Sequence, residues 1–467
     1  MRKNSFLLFL GIVAIAVVLR FFRIQENLVF HGELGHNYLA IKNMIAADEV
    51  PLLGPPTSHP WLSFGPAFYW IFAPVLTYFN YSPLAGGYFF AGIGVLTIFI
   101  NYLVIGKLLG RSVGIVSSFL LAISPAWVSL AREARFFSLT TLFFYPFLYF
   151  FVKGVKNRGR GFFWAGIFFG MMLNFHLTPL ILILPVSIII FINRRYVARQ
   201  KIINALVGIV IPTIPFLLYN LTHRMEMLAR LVLWIPYRVL GFLGLYPKNT
   251  ISEGVLQANI GSLYNFFTSS FFVTPNIITA IFITFLLLFI IVRKKRNLAE
   301  WTLLLFLVFG YLGIFLHGDP PFHYYLPLYP IPIIFAAIFF ERFWTTSYWG
   351  RVLAGIFISY IILSNSLFFF SRKWFFIPQD KIVDGRVPYR MQLEAADEII
   401  KDANGASFTL HRTGPDDNFE GDFAQNYQYL LWWKGNEPVV NSGLTYTIRE
   451  DEQGGKLEVI KNEGKAE

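Results

Sequence analysis

Long apolar runs alternate with short polar or basic breaks over most of this chain. "SFLLFLGIVAIAVVL" (5–19) and "IITAIFITFLLLFIIV" (277–292) approach the length a helix needs to cross ~30 Å of hydrocarbon. The pattern predicts eleven spans, near 5–22, 83–106, 112–130, 136–152, 162–176, 178–193, 202–222, 277–292, 301–317, 323–340 and 352–370. One apolar segment, 61–79, carries Ser63, Gly65, Pro66 and Pro74 after "LLGPPTSHP", and reads as juxtamembrane or re-entrant. After residue 371 the pattern changes. "PYRMQLEAADEIIKDANG" and "DFAQNYQYLLWWKGN" have helical spacing, whereas "ASFTLHR", "TYTIRE" and "KLEVIKN" read as strands. The chain divides into a transmembrane part, 1–371, with structured loops at 23–82 and 223–276, and a small soluble α/β domain, 372–467. In the latter, "QYLLWW" reads as the core or docking face of a small domain, with aromatic stacking on sugar as the alternative.

Composition agrees with an α-helical polytopic membrane protein. Hydrophobic residues make up 55% and charged residues only 14%, with 52 Phe; a soluble domain carries about 25% charge. No small-residue cleavage site follows the first run, so it is expected to stay as a helix rather than be removed as a signal peptide. Without Cys, thiolate metal sites and Cys nucleophiles are excluded. The net charge of +12 is concentrated in the membrane part, where 27 Lys/Arg face 10 Asp/Glu. It therefore carries no nucleic-acid signal. Basic breaks such as "KNRGR", "RRYVARQK" and "RKKR" fall inside, on the side of "MRK", only if 61–79 is not a span. The positive-inside rule then sets a cytoplasmic N-terminus and an extracytoplasmic C-terminal domain, in the cytoplasmic membrane.

On this topology every His and most acids lie at the outer face, which becomes the expected working surface. "FHGELGHNYLAIKNMI" (30–45) predicts a loop helix whose apolar face is Leu34, Tyr38, Ile41 and Ile45, with Glu33 in its first turn. A zinc-protease reading fails, because it needs His at i and i+4. His31 and His36 are five apart, about 140° around a helix. "SLAREARFFSL" sets Arg132 and Arg135 around Glu133, either as a local ion pair or as a guanidinium fork for phosphate. "FLHGDPPFHYYLPLYP" gathers His317, Asp319, His323, Tyr324 and Tyr325 between two spans. The loop 223–276, apolar with Arg230 and Arg238 set into it, reads as an interfacial element or lid.

Taken in order, these pieces resemble the GT-C membrane glycosyltransferases, in the group of the protein O-mannosyltransferases and the aminoarabinose transferases of lipid A. The carriers are "FHGELGHNYLAIKNM", "PLLGPPTSHPWLSFGPAFYWIFAP", "SPLAGGYFFAGIGVLTIFINYLVIGKLLG", "LLAISPAWVSLAREARFFSL" and "HYYLPLYPIPIIFAA", across roughly 5–340. The resemblance implies transfer of a sugar from a polyprenyl-phosphate donor to an acceptor hydroxyl on a protein, lipid or glycan, usually with inversion. It implies Glu33 as the catalytic base. It makes His36, Asn37, His59, Arg132, Arg135, His323, Tyr324 and Tyr325 the candidate substrate contacts. Relatives often carry Asp-Glu where this chain has Gly32-Glu33, and a further acid where it has "TSHPWL". Those departures argue against a bound divalent cation, and no other cofactor is implied.

The chemistry is consistent with that role from the residues alone. A hydroxyl nucleophile needs a base, and one placed carboxylate suffices. A departing polyprenyl phosphate needs cations where negative charge develops. Two rival readings stand beside it: a lipid or glycan transporter or flippase, and a non-catalytic scaffold of the same fold. The first expects ionisable residues at the bilayer midplane and an internal repeat, neither of which the sequence shows.

Overall fold

The computed structural model describes residues 2–57, 59, 61–156, 159–245, 253–273, 276–316, 320–415 and 423–463. The membrane body opens with α1 (Arg2–Phe21) and a pair of loop helices, α2 (Gly32–Ala46) and α3 (Ala67–Tyr78). It continues through α4 (Leu84–Leu108), α5 (Arg111–Ile123), α6 (Pro125–Leu130), α7 (Leu139–Val155), α8 (Gly161–Phe175), α9 (Ile183–Ile192) and α10 (Arg199–Thr222). After α11 (Glu226–Phe242) and α12 (Glu253–Ser269) come α13 (Ile277–Val292), α14 (Leu298–Phe315), α15 (Pro330–Thr346) and α16 (Tyr348–Phe369). Each expected span falls on a helix or on two joined helices. Among the described residues, five helical stretches are long and apolar enough to cross a membrane: 84–108, 136–155, 199–222, 298–315 and 348–369.

Local chemistry sets the breaks. Pro125 at the first position of α6 separates it from α5, with Ser124 held extended. Asn276 closes a capping box on α13, and Asn297 and Ser347 cap α14 and α16. Helices α8 and α10 touch backbone to backbone: a Cβ at Gly166 would lie 2.1 Å from the Ala205 carbonyl oxygen. Small residues four apart, Gly166 and Gly170, permit this approach, as in other membrane helix pairs. Helix α15 is apolar all round and buried from Pro330 to Phe340, which makes it the centre of the bundle.

The 61–79 segment is not one continuous helix. Its first half is extended and pairs with residues 54–57, Gly54 N donating to Phe64 O at 2.9 Å and Phe64 N to Pro55 O at 2.9 Å. Its second half is α3, 12 residues and about 18 Å long, lying among α2, α4 and α8.

The C-terminal part comprises α17 (Tyr389–Ala403), β1 (Thr409–Thr413), α18 (Gln425–Trp433), β2 (Leu444–Asp451) and β3 (Lys456–Glu463). The strands form one sheet in the order β1-β2-β3, parallel then antiparallel, with Leu410 opposite Tyr446 and Ile448 opposite Val459. A buried Arg412–Glu450 ion pair is completed by Tyr427, whose hydroxyl donates to Glu450 Oε1 at 2.7 Å. This unit docks on α2 through α18. Tyr429 is fully buried, its ring edge-on to Tyr38, and its hydroxyl donates to Tyr81 O at 2.6 Å. Trp433 Nε1 donates to Asn80 O at 3.2 Å, and Lys42 sits over the Trp432 ring. The aromatic "QYLLWW" face is thus the docking face.

Candidate active site

Helix α2 positions Glu33. Its N-cap residue is His31, extended at φ −123°, and its first-turn acid is Glu33. The helix lies tight against α18 because two of its residues lack side chains. A Cβ on Gly32 would stand 2.6 Å from Phe423 O, and one on Gly35 would stand 2.2 Å from Asn426 N. Gly32, the position where the resemblance leads one to expect a second acid, is therefore filled by the C-terminal domain. Glu33, one residue on, is half-buried.

The second carboxylate comes from the 131–138 loop. Glu133 is ion-paired with Arg135 and accepts from Ser129 Oγ at 3.1 Å. Burial pushes the Glu33 carboxyl up, Arg135 opposes and Glu133 adds to the rise, leaving it above its ordinary 4.5. Burial also pushes on Glu133, but Arg135, then His31 and Arg386, outweigh it and hold that carboxyl below 4.5. Burial and the Arg135 charge lower His31 to about 4, against the pull of Glu133, so the ring is neutral near pH 7. Its Nε2 is buried and has no hydrogen-bond partner among the described residues. Two carboxyls with values driven apart form the usual signature of divided acid–base roles.

Phe137 joins this cluster to a second one. The Arg135 guanidinium lies 5.7 Å from the Phe137 ring centre, and His323 stacks on the same ring at 5.1 Å. His176 packs against His323 at 5.3 Å and Tyr324 at 5.5 Å. The Thr178 amide donates to His176 Nδ1 at 3.2 Å, leaving the ring proton on Nε2. His59 stacks on Trp61 at 5.5 Å and meets Trp234 of α11 edge-on at 5.8 Å, and Arg238 covers Trp234. The Arg238 charge acts on both His59 and Tyr324. Loops following α1, α6, α8, α10 and α14 therefore meet at one end of the bundle.

The structure brings together Glu33, Arg135, His59, His323 and Tyr324. It sets other candidates apart. Arg132 is buried and turned toward α1, donating to the carbonyls of Leu19, Arg20 and Phe22 at 3.2, 3.0 and 3.0 Å and to Arg23 O at 3.4 Å. There it caps a helix C-terminus, a favourable place for a cation. Asn37 is buried between α2 and α3, accepting from the Tyr69 hydroxyl at 3.5 Å. His36 is exposed. Tyr325 is buried against Phe266, its hydroxyl 2.8 Å from Ser262 Oγ. His317 and Asp319 lie outside the described residues. Residues that the sequence did not single out as contacts but that the fold gathers here are His31, Glu133, His176, Trp234, Arg238 and Arg386. Glu133 carried a local signal as the acid between two arginines, and Arg238 as a cation set into an apolar loop.

Among the described residues no three His, Asp or Glu side chains come together as ligands, and Glu133 is already neutralised by Arg135.

Residues 58–219 match the family model described as dolichyl-phosphate-mannose-protein mannosyltransferase. The chain is similar in structure to ArnT from Cupriavidus metallidurans bound to undecaprenyl phosphate, with TM-score 0.57 and 12% identity over 94% of this chain and 92% of that one. It is also similar to the Archaeoglobus fulgidus oligosaccharyltransferase tethered to an acceptor peptide, with TM-score 0.52 and 13% identity. That match takes in 94% of this chain but only 64% of the oligosaccharyltransferase. No curated protein sequence matches. The chain is a membrane-integrated protein with the GT-C fold of these glycosyltransferases.

Proposed function

We propose that this protein transfers a sugar from a polyprenyl-phosphate donor to an acceptor hydroxyl at the extracytoplasmic face, with inversion and with Glu33 as base. The observation that carries the reading is Glu33 in the first turn of α2, its carboxyl raised from its ordinary value, facing a Glu133 that is ion-paired with Arg135 and lowered from its own. A carboxylate of raised pKa is the better proton acceptor, and Glu133 stays ionised to keep Arg135 in place. In the reaction the acceptor oxygen attacks the anomeric carbon, its proton passes to Glu33, and the sugar–phosphate C–O bond breaks. The electron pair leaves with the polyprenyl phosphate. Arg135, Arg238 and the His176 Nε2–H supply positive charge and a donor along the Phe137 seam.

The undecaprenyl phosphate bound by ArnT supports a lipid-linked donor here. An apolar groove of about 650 Å³ lined by Phe21, Pro74, Val75, Tyr78, Phe79, Tyr88 and Phe89 suits a prenyl tail. Helix α11, apolar and exposed at Val232, Leu233 and Ile235, suits a cover lying on the membrane surface. The test is product analysis of proteoliposomes supplied with labelled polyprenyl-phosphate sugars and acceptors. Release of polyprenyl phosphate together with labelled glycoside supports the reading. Lipid movement across the bilayer without sugar transfer would replace it with the transporter reading.

A further inference from the structure

The C-terminal domain does more than rest on α2. Its Val383–Arg386 turn is a tight two-residue hairpin, with Asp384 at φ 51° and Gly385 at φ 71°, closed by Arg386 N donating to Val383 O at 3.0 Å. Ile382 N donates to Gly455 O at 2.9 Å, which ties the turn to the β2–β3 connection. Arg386 projects from this turn onto the Trp374 ring, 5.4 Å from its centre. The next ring in the chain, Phe375, carries Arg132 at 5.1 Å and is fixed by Asn27 Nδ2, which donates to its carbonyl at 3.1 Å.

Two guanidinium groups thus sit on adjacent rings beside the 131–135 loop, and their fates differ. Arg132 spends its N–H groups on four carbonyls of the α1 terminus. Arg386 is half-buried, and its guanidinium makes no hydrogen bond or ion pair among the described residues. The nearby acid, Glu133, is already committed to Arg135. The closeness shows in both directions: the Arg386 charge helps hold Glu133 down, and after burial it is the main cause lowering Arg132 to about 10. Trp374 covers one face of this guanidinium and no side chain takes its N–H groups among the described residues, so they are open to an incoming anion. Planar N–H forks such as this suit phosphate and carboxylate.

We propose that Arg386 is a specificity-determining residue of the acceptor site, and that the acceptor carries an oxyanion, phosphate or carboxylate, near the hydroxyl presented to Glu33. The assignment rests on the glycosyl-transfer reading, with the donor phosphate placed at the Arg238 end of the seam.

The test is binding to the full chain in nanodiscs, without donor. The probes are alkyl glycosides of one chain length: a neutral glucoside, a glucuronide and a glucose 6-phosphate glycoside. At least one anionic probe is expected to bind about tenfold tighter than the glucoside. Arg386→Gln abolishes that preference, and Arg386→Lys keeps part of it, both with the wild-type melting midpoint. The probe preferred tells phosphate from carboxylate. Equal binding of all probes, absence of binding by any, or a preference that survives Arg386→Gln overturns the inference. Because no donor is present, a failure of glycosyl transfer leaves this result standing, and transfer without anionic preference sinks the inference alone.

Discussion

Restoring an acid at Gly32 is expected to damage the protein rather than improve it. The Cβ of Gly32→Asp would lie 2.6 Å from Phe423 O and 2.7 Å from Phe423 Cδ1. Carbon contacts relax to about 3.5–4.0 Å, so Phe423, which leads into α18, must retreat by about 1 Å. Phe423 has little freedom to yield, since its backbone is left-handed at φ 52°. Overpacking of this kind costs about 1–3 kcal/mol, and the new carboxylate would add like charge beside Glu33 and Glu133. Gly35→Ala makes the steric case without charge, its Cβ falling 2.2 Å from Asn426 N and 2.3 Å from Gln425 C. Both variants should lower the thermal unfolding midpoint in detergent. Both should make the C-terminal domain easier to release by limited proteolysis, as the Lys42–Glu437 and Trp433–Asn80 contacts open. Wild-type midpoints and wild-type protease resistance in both would refute the claim that these glycines exist for docking.

Arg135→Gln should lower turnover about 10²-fold and, by removing the charge that opposes the Glu33 rise, move the acid limb of the pH profile to higher pH. Arg132→Gln should instead cost about 3 kcal/mol of stability through four orphaned carbonyls, with the wild-type KM retained in whatever folds; a KM effect of tenfold would return Arg132 to the substrate site. The acid limb of kcat/KM should lie above 4.5, since activity is lost as pH falls through the raised Glu33 value. Stability runs the other way for that group: its ionisation opposes folding, so stability falls as pH rises from 4.5 through the folded value. Glu133 contributes stability that is present above 4.5 and lost as pH drops through its depressed value. A limb at or below 4.5 would contradict the Glu33 environment.

What the sequence made legible is what repeats locally. Apolar runs located the helices of the membrane body, and the Pro and Gly of 61–79 marked a stretch that is extended before it enters α3. Helical spacing placed Glu33 in the first turn of α2 and removed the zinc reading. What it hid depends on distant pairing. Nothing near Glu33 announces that Glu133, a hundred residues on, lies close enough for its charge to act on it. Arg132 and Arg135 look alike in sequence, yet the turn at 131–135 sends one to the α1 carbonyls and the other to the site. The docking of α18 on α2 joins residues nearly four hundred apart, as Lys42 to Glu437 shows. Gly32 looked like a lost acid and is instead a contact surface. The His176–His323–Phe137 stack arises only when the loops after α6, α8 and α14 meet.

The central claim is that Glu33 takes the acceptor proton, and single-turnover transfer from a labelled polyprenyl-phosphate sugar by Glu33→Gln tests it most directly. The amide keeps the size and the half-buried position of the side chain but cannot serve as a base. The account predicts a fall in rate of at least about 10²-fold, unchanged donor binding, and, in the wild type, a product of inverted anomeric configuration. Full turnover by Glu33→Gln would contradict it.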